Sequence, residues 1–173
     1  MERAIREARE EDVTQVTQIY AHHVRTGLAS FEEVPPDAQE MLSRMRAVRG
    51  QGLPYFVMVE GDHVLGYCYA TLYRTRSAYR YTLEDSVYVR DGLAGQGVGR
   101  ALLAKLIERC EEGPWRQMIA VIGDSGNAAS IGLHRALGFR MVGNFEAVGF
   151  KFGRWVDSVL MQRPLGKGDS ALP

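Results

Sequence analysis

Residues 81–89 read YTLEDSVYV, residues 92–99 read GLAGQGVG and residues 100–110 read RALLAKLIERC. In the first segment apolar and polar side chains alternate with the period of two that is typical of a strand. In the third segment apolar side chains recur every three or four residues, which is typical of an amphipathic helix. A strand, a glycine-rich turn and a helix in this order suit phosphate binding, because the first turn of a helix has unpaired N–H groups and the positive end of the peptide dipoles.

The glycines at 95, 97 and 99 let the backbone approach a diphosphate closely, since no Cβ intervenes. The predicted donors are the main-chain amides of Gln96, Gly97, Val98, Gly99, Arg100 and Ala101. The glycines alone would equally fit a flexible surface loop before an ordinary helix. No Gly-Lys-Ser/Thr follows them, so a P-loop is excluded, and no acidic residue stands at the spacing that a Rossmann dinucleotide site requires.

The rest of the chain alternates between strand-like and helix-like patterns. Strands are predicted at 4–8, 55–60, 64–73, 118–122, 142–148 and 155–161, and helices at about 13–24, 37–48, 98–110 and 127–137. A length of 173 residues with 46% hydrophobic content fits one domain with a real core, which we place at 1–165. Residues 166–173 are short and polar, with glycine and proline, and are predicted to form a flexible tail.

Charge and cysteine usage restrict the partners and the compartment. The 21 basic and 21 acidic residues give a net charge of zero, so nucleic acid and anionic membranes are not expected as partners. No apolar stretch is long enough to span a bilayer. Cys68 and Cys110 lie in apolar periodic segments, as buried free thiols do, which favours a cytoplasmic location. His22 and His23 have no metal-ligand spacing, and no metal is predicted.

Several motifs resemble one known family. They are the strand and glycine turn above, RSAY at 76–79, NAASIGLHRALGF at 127–139 and VGFKFGRWVD at 148–157. Their order resembles the phosphinothricin and methionine sulfoximine acetyltransferases of the GNAT superfamily, over residues 4 to about 165. The resemblance implies an α/β (α+β) GNAT fold, with a single mixed, mostly antiparallel twisted sheet flanked by helices. It also implies acetyl transfer from acetyl-CoA to an amine.

The resemblance assigns the rest of the acetyl-CoA site. Splaying of the central strand from its neighbour would leave main-chain groups of Tyr88, Val89 and Arg90 unpaired, free to bond the pantetheine arm. Asn127 and Ser130 would contact acetyl-CoA from the opposite wall. One feature departs from the superfamily pattern, because Ala94 stands where a Gln or Arg usually precedes the glycines. Acetyl-CoA binding is expected to survive, since main-chain amides hold the diphosphate, but with lower affinity for lack of that side-chain contact.

Glu84 is the predicted general base. It lies on the polar face of the central strand with Ser86 and Tyr88, where a carboxylate of raised pKa can deprotonate an ammonium nucleophile. The residues alone would equally allow a carboxylate paired with Arg76 or Arg80. The resemblance favours the catalytic role.

His134 is the second predicted proton-transfer residue. Many members of the superfamily have a tyrosine here that is proposed to protonate the departing thiolate, whereas this chain has Leu133-His134. Histidine titrates near neutrality, so the exchange keeps acid–base chemistry available. An ordinary helix-surface or core histidine is the alternative.

The resemblance places the amino-acid substrate among three groups of residues. They are Phe31 and Glu32 in the loop between the first two helices, Thr75, Arg76 and Ser77 before the central strand, and Asp85, Ser86 and Val87 within it. Arg76 would hold a carboxylate through two parallel hydrogen bonds. A solvent loop and a charged turn are the alternatives for the first two groups.

The predicted reaction is acetylation of the α-amino group of a small glutamate- or methionine-like compound, namely phosphinothricin, methionine sulfoximine or methionine sulfone. Such a reaction would confer resistance to these inhibitors. The alternatives are acetylation of another amine or a peptide N-terminus, and a non-catalytic acyl-CoA sensor. The family forms dimers, and residues 150–155 would either close the amino-acid pocket or contact a second subunit.

Overall fold

A computed structural model describes residues 1–173 and contains one seven-stranded sheet. The strands are β1 (Arg3–Glu7), β2 (Tyr55–Glu60), β3 (His63–Leu72), β4 (Thr82–Val89), β5 (Gln117–Gly123), β6 (Arg140–Lys151) and β7 (Arg154–Pro164); the helices are α1 (Val13–Thr26), α2 (Ala38–Gly50), α3 (Val98–Glu111) and α4 (Ala128–Ala136). The strand order is β1-β2-β3-β4-β5-β7-β6, and every neighbouring pair is antiparallel except β4 with β5. The predicted mixed, mostly antiparallel sheet is confirmed, although the last two strands are longer than predicted.

The sheet opens between its two parallel strands. Pairing of β4 with β5 is limited to Thr82 with Gln117, Leu83 with Met118 and Glu84 with Ile119. Beyond these pairs β4 remains bonded to β3, whereas β5 remains bonded to β7. The splay that the resemblance implies is therefore present, and it leaves a cleft between the outer halves of β4 and β5.

Helices cover both faces of the sheet. α3 packs on β2, β3 and β4, and α4 packs on β5 and β6, while α1 and α2 cover the opposite face. Leu83, Leu102 and Leu106 are fully buried between the sheet and α3. Burial of each such side chain stabilises the fold by about 2 kcal/mol. The helix α3 therefore follows from the apolar periodicity of residues 98–110.

The β6–β7 hairpin ends in a turn at Phe152 and Gly153, whose φ angles are 53° and 72°. Two successive positive φ values are typical of a tight turn that matches the twist of the flanking strands. Nearer the middle of β6 the register shifts between Phe145 and Gly149. The Asp157 carboxylate holds this bulge, because it accepts hydrogen bonds from the Ala147 N–H and from two neighbouring side chains.

The chain after β7 folds back onto Arg116. Its guanidinium donates to the carbonyl oxygens of Gly168, Ala171 and Leu172 over 2.8 to 3.0 Å. The composition of residues 166–173 gave no indication of these contacts. None of the helices has both the length and the hydrophobicity that crossing a lipid bilayer requires.

Candidate active site

The cleft between β4 and β5 holds a cavity of about 280 Å³. It is lined by the loop after α1, the outer half of β4, β5 and the start of α4. The predicted site residues that it brings together are Phe31, Glu84, Asp85, Ser86, Val87, Tyr88, Asn127, Ser130 and His134. The lining residues that the sequence analysis missed are Ala29, Ser30, Ser158 and residues 120–123, which carry no motif of their own.

Glu84 is a half-buried carboxyl with no ion pair and no hydrogen bond from another side chain. Burial raises its pKa to about 7, the negative charge of Asp85 adds to the rise, and Arg74 opposes it. The alternative of a salt bridge is wrong: Arg76 has no acidic partner, and Arg80 donates to the Ser77 carbonyl instead. The carboxyl can therefore gain and lose a proton near neutral pH, as a general base must.

His134 is bound at both ring nitrogens. Nδ1 lies 2.7 Å from the Ser130 carbonyl oxygen, and Nε2 lies 2.8 Å from Asp85 Oδ2. A carbonyl only accepts, so Nδ1 carries a proton, and the Asp85 carboxylate calls for a second proton on Nε2. His134 is thus an imidazolium in a buried ion pair, and its predicted part in proton transfer stays a prediction. Asp85 holds this pair through Oδ2 and also lines the cavity, while its Oδ1 is buried without a partner, so its predicted contact with substrate stays a prediction.

The N-terminus of α3 fits an anion. Gly97 has a φ of 78° and precedes the first helical turn. The amides of residues 97–100 have no main-chain partner, whereas those of Gln96 and Ala101 donate to Leu93 and Gly97. Four adjacent free amides at the positive end of a helix suit the diphosphate of coenzyme A. Gln96 and Ala101, predicted as donors, are already hydrogen bonded.

Three predicted pantetheine contacts need correction. The Arg90 N–H donates to the Leu65 carbonyl. Tyr88 lies two residues earlier opposite Tyr67, so its N–H and carbonyl also point toward β3. The Val89 carbonyl accepts from His23 Nε2 at 2.7 Å. Because main-chain groups alternate in direction along a strand, those that face the cleft belong to residues 85, 87 and 89. The expectation of unpaired main-chain groups is therefore wrong for Tyr88 and Arg90, and holds for Val89 only at its N–H.

Comparison with known proteins identifies the family of this chain. The model of the acetyltransferase (GNAT) domain matches residues 5–160. The chain belongs to the GNAT acetyltransferase family. It is 62% identical to the phosphinothricin N-acetyltransferase of Alcaligenes faecalis, over 98% of this chain and 86% of that protein.

Two further relatives of this GNAT enzyme agree. It is 41% identical to the L-methionine sulfoximine/L-methionine sulfone acetyltransferase of Pseudomonas paraeruginosa, over 99% of both chains. The crystal structure of a GNAT superfamily phosphinothricin acetyltransferase from Sinorhizobium meliloti, in complex with acetyl-CoA, aligns with a TM-score of 0.96 and 45% identity, covering 100% of this chain and 94% of that one. The protein is an acetyl-CoA-dependent N-acetyltransferase.

The opposite wall of the GNAT cleft includes Asn127 and Ser130. Asn127 caps α4, because its side-chain oxygen accepts from the Ser130 N–H at 3.2 Å. Both residues line the cavity, as predicted. An asparagine is favoured at this position because it caps α4, whether or not it contacts acetyl-CoA.

Glu32 does not line the cleft of this acetyltransferase. Its carboxylate accepts two hydrogen bonds from Arg44, at 2.8 and 3.0 Å, and one from the Tyr20 hydroxyl. These bonds lower the pKa of Glu32. The prediction that Glu32 lines the pocket is wrong, because its carboxylate is hydrogen bonded to Arg44 and Tyr20. These bonds hold the loop after α1 in place.

Thr75, Arg76 and Ser77 also lie outside the cleft. Thr75 and Arg76 line a separate open depression with Tyr73, Arg74 and Tyr79, and Ser77 begins a short 3-10 turn. All three predicted residues are exposed. No group of His, Cys, Asp and Glu side chains in the acetyltransferase is arranged to hold a metal ion.

Proposed function

We propose that this acetyltransferase modifies the α-amino group of a small glutamate- or methionine-like amino acid, such as phosphinothricin, methionine sulfoximine or methionine sulfone. The observation that carries the proposal is Glu84, a carboxyl free of ion pairs in the cleft, with its pKa raised to about 7. The names of the relatives support this substrate class. Acetylation of these inhibitors in the cytoplasm would make the cell resistant to them.

Bound acetyl-CoA supplies the acetyl thioester that the reaction consumes. The free amides of residues 97–100 would hold its diphosphate, and Asn127 and Ser130 would flank it on the other wall. Cleft-facing main-chain groups at 85, 87 and 89 would align the remainder. An N–H donor among them would stabilise the oxyanion that develops on the carbonyl.

Glu84 would take the proton from the substrate ammonium, directly or through one water. The transfer leaves the amine lone pair free to attack the acetyl carbon, and the thiolate that departs then needs a proton. His134 enters the proposal as a charged neighbour that holds Asp85, because both of its ring nitrogens are occupied. The new C–N bond replaces the C–S bond, and the nitrogen gives up its second proton to solvent. The thiolate takes one proton, from protonated Glu84 or from solvent, so the reaction releases one proton overall.

The substrate carboxylate needs a cation from outside the cleft, since no arginine or lysine lines the cavity. We assign this role to Arg76, which is exposed and has no acidic partner. Its planar guanidinium suits a carboxylate through two parallel hydrogen bonds. Thr75 and Ser77 flank it on the same turn.

We also propose that the enzyme is a homodimer joined through the β6–β7 hairpin. Phe145, Val148, Phe150, Phe152 and Trp155 are each more than half exposed there. Phe150 and Trp155 pair across the hairpin and form an exposed apolar face, and exposed apolar surface of this kind is typical of a protein–protein interface. The apolar face of the hairpin would be buried in the dimer.

A thiol-release assay with acetyl-CoA tests the substrate class. The panel contains phosphinothricin, methionine sulfoximine, methionine sulfone, common amino acids and a short peptide, and Glu84→Gln serves as the chemical control. We expect release with the glutamate- and methionine-like compounds and strong loss in the variant. Release with the peptide alone would replace the proposal by N-terminal acetylation, and acetyl-CoA binding without release would indicate a sensor.

A further inference from the structure

We propose that Lys151 is a positioning residue that holds the loop of residues 27–31 against the mouth of the cleft and so sets the affinity for the amino acid. The inference deepens the proposed function and rests on it. It concerns a lysine at the end of β6, far in sequence from the loop that it fastens. Lys151 is the buried lysine of the chain; Lys105 and Lys167 are not buried.

The Lys151 ammonium makes two short hydrogen bonds to the loop. Nζ donates to the Ser30 carbonyl oxygen at 2.6 Å and to the Gly27 carbonyl oxygen at 2.8 Å. Both acceptors lie more than 100 residues earlier in the chain. Hydrogen bonds from a charged donor are about twice as strong as neutral ones, so the pair fixes the path of the loop.

Burial of the Lys151 ammonium costs desolvation free energy, which its hydrogen bonds to the loop must offset. The residue is only 2% exposed, and burial lowers the pKa of its ammonium, while Glu33 and Glu32 favour the charged form. A methionine or leucine would fill the same space without the desolvation cost. A compact ammonium can reach two carbonyls at once, which an apolar side chain cannot do.

The loop that Lys151 holds forms one wall of the cleft. Ala29, Ser30 and Phe31 line the cavity. The Phe31 ring lies over Gly149, where an added Cβ would come within 2.6 Å of it. Gly123 faces the same loop, and an added Cβ there would come within 2.0 Å of the Leu28 carbonyl oxygen. Two glycines thus make room for the loop, and Lys151 bonds it in place.

β6 is shaped to deliver Lys151 to this position. The bulge before Gly149, held by Asp157, changes the register of the strand by two residues. The tight turn at Phe152 and Gly153 then ends β6 immediately after Lys151. On the other side of the loop, Arg44 holds Glu32, so the loop is fastened at both ends.

This arrangement separates the two substrates. The loop and Glu84 line the same cavity, whereas residues 97–100 at the α3 N-terminus, where the diphosphate of acetyl-CoA is proposed to bind, do not line it. Loss of the Lys151 contacts should therefore weaken binding of the amino acid while leaving acetyl-CoA binding unchanged. A residue with a merely structural role would affect both.

The test compares Lys151→Met and Lys151→Arg with the wild type, and uses Lys167→Met as the control, since Lys167 is exposed. Three quantities are measured: KM for methionine sulfoximine, Kd for acetyl-CoA by calorimetry, and amide hydrogen exchange of residues 27–34. For Lys151→Met we expect KM to rise about tenfold or more, as for loss of a hydrogen bond to a charged group. Acetyl-CoA Kd should stay within about twofold, and exchange should accelerate in the loop.

Unchanged KM and unchanged loop exchange in Lys151→Met would overturn the proposal. If that variant does not fold, Lys151→Arg decides in the same three measurements, because its larger guanidinium overfills the space of the buried ammonium and should displace the two carbonyls. A wild-type enzyme that acetylates none of the amino acids would contradict the proposed function instead. Hydrogen exchange would still report whether Lys151 holds the loop.

Discussion

His134 Nε2 lies 2.8 Å from Asp85 Oδ2, and the two side chains are 6% and 2% exposed. Burial alone would lower the pKa of His134, but the hydrogen bond and charge of Asp85, together with the Ser130 carbonyl, raise it. A raised pKa in the folded state stabilises the protein fully below the unfolded value near 6.5. This contribution is lost as the pH rises through the folded value.

Asp85→Asn removes the anion of this pair. We expect it to lower the free energy of unfolding by about 3–5 kcal/mol at pH 6, since breaking one side of a buried pair leaves an uncompensated charge. Above the raised folded-state pKa of His134 the imidazole is neutral in both states, so the loss should become smaller as the pH is raised from 6 toward 9. Urea denaturation at the two pH values measures this difference, with Asp62→Asn as the exposed control. Equal losses at pH 6 and pH 9 would contradict the ion pair.

Glu84→Gln should lower kcat by about 10²–10⁴-fold, the range typical of a lost general base. In the wild type, activity should rise with pH through about 7 as Glu84 ionises, and this limb should be absent in the variant. Stability should change in the opposite direction, because the raised pKa favours the protonated form in the fold. Thermal denaturation should therefore find Glu84→Gln increasingly more stable than wild type as the pH rises from about 4.5 to about 7, with little further change above that. A pH–rate profile that retains its limb in the variant would assign the base elsewhere.

Gly97→Ala should weaken acetyl-CoA binding. Gly97 has a φ of 78°, and a non-glycine residue there costs roughly 1–2 kcal/mol per residue. The backbone would relax and turn the free amides of the α3 N-terminus away, so calorimetry should give a Kd about 5- to 10-fold higher. Gly50→Ala is the control, since an added Cβ at Gly50 has no neighbour within 4 Å. Equal affinity in the two variants would place the diphosphate elsewhere.

Arg76→Ala should raise KM for amino acids that carry a free carboxylate, by about tenfold, with little change for their methyl esters. Arg76→Lys should recover only part of the loss, because a lysine makes no bidentate pair. Steady-state kinetics with acid and ester substrates separates these cases. Arg25→Ala is the control, as Arg25 is also exposed. A similar KM increase for acids and esters would exclude carboxylate recognition by Arg76.

Trp155→Glu should convert the dimer into a monomer. The side chain is 66% exposed in a single subunit and packs edge-on against Phe150 in the apolar face. A charge there would have to be buried in the interface without a partner. Light scattering after gel filtration should give the mass of one chain at micromolar concentration. Leu172→Glu, at an apolar residue exposed outside this face, should remain dimeric. A monomeric wild type would disprove the interface at once.

The sequence predicted β4, the glycine turn and α3 correctly, because each is defined by local periodicity or by residues close in the chain. It did not reveal the Asp85–His134 pair, although one signal was available. Asp85 stands between Leu83 and Val87 on the apolar face of its strand, where a carboxylate needs a buried partner.

Other contacts had no local signal. His23 meets the Val89 carbonyl across 66 residues, and Lys151 meets Gly27 across 124. Arg76 was grouped with the substrate pocket by resemblance, but its turn lies beside a different depression. Contacts between residues this far apart in the chain depend on how the helices and strands pack together, which cannot be predicted from the sequence of one segment.

The pairing of β4 with β5 at only three positions has a mechanical consequence. Strands β1 to β4 form one part of the sheet, and β5, β7 and β6 form the other. The two parts are joined only at these three pairs, and we place acetyl-CoA in the gap between them. A molecule that is hydrogen bonded to both parts would replace the hydrogen bonds that are absent between the outer halves of β4 and β5. Binding of acetyl-CoA should therefore make the sheet more rigid, and release of coenzyme A at the end of each turnover should make it more flexible again.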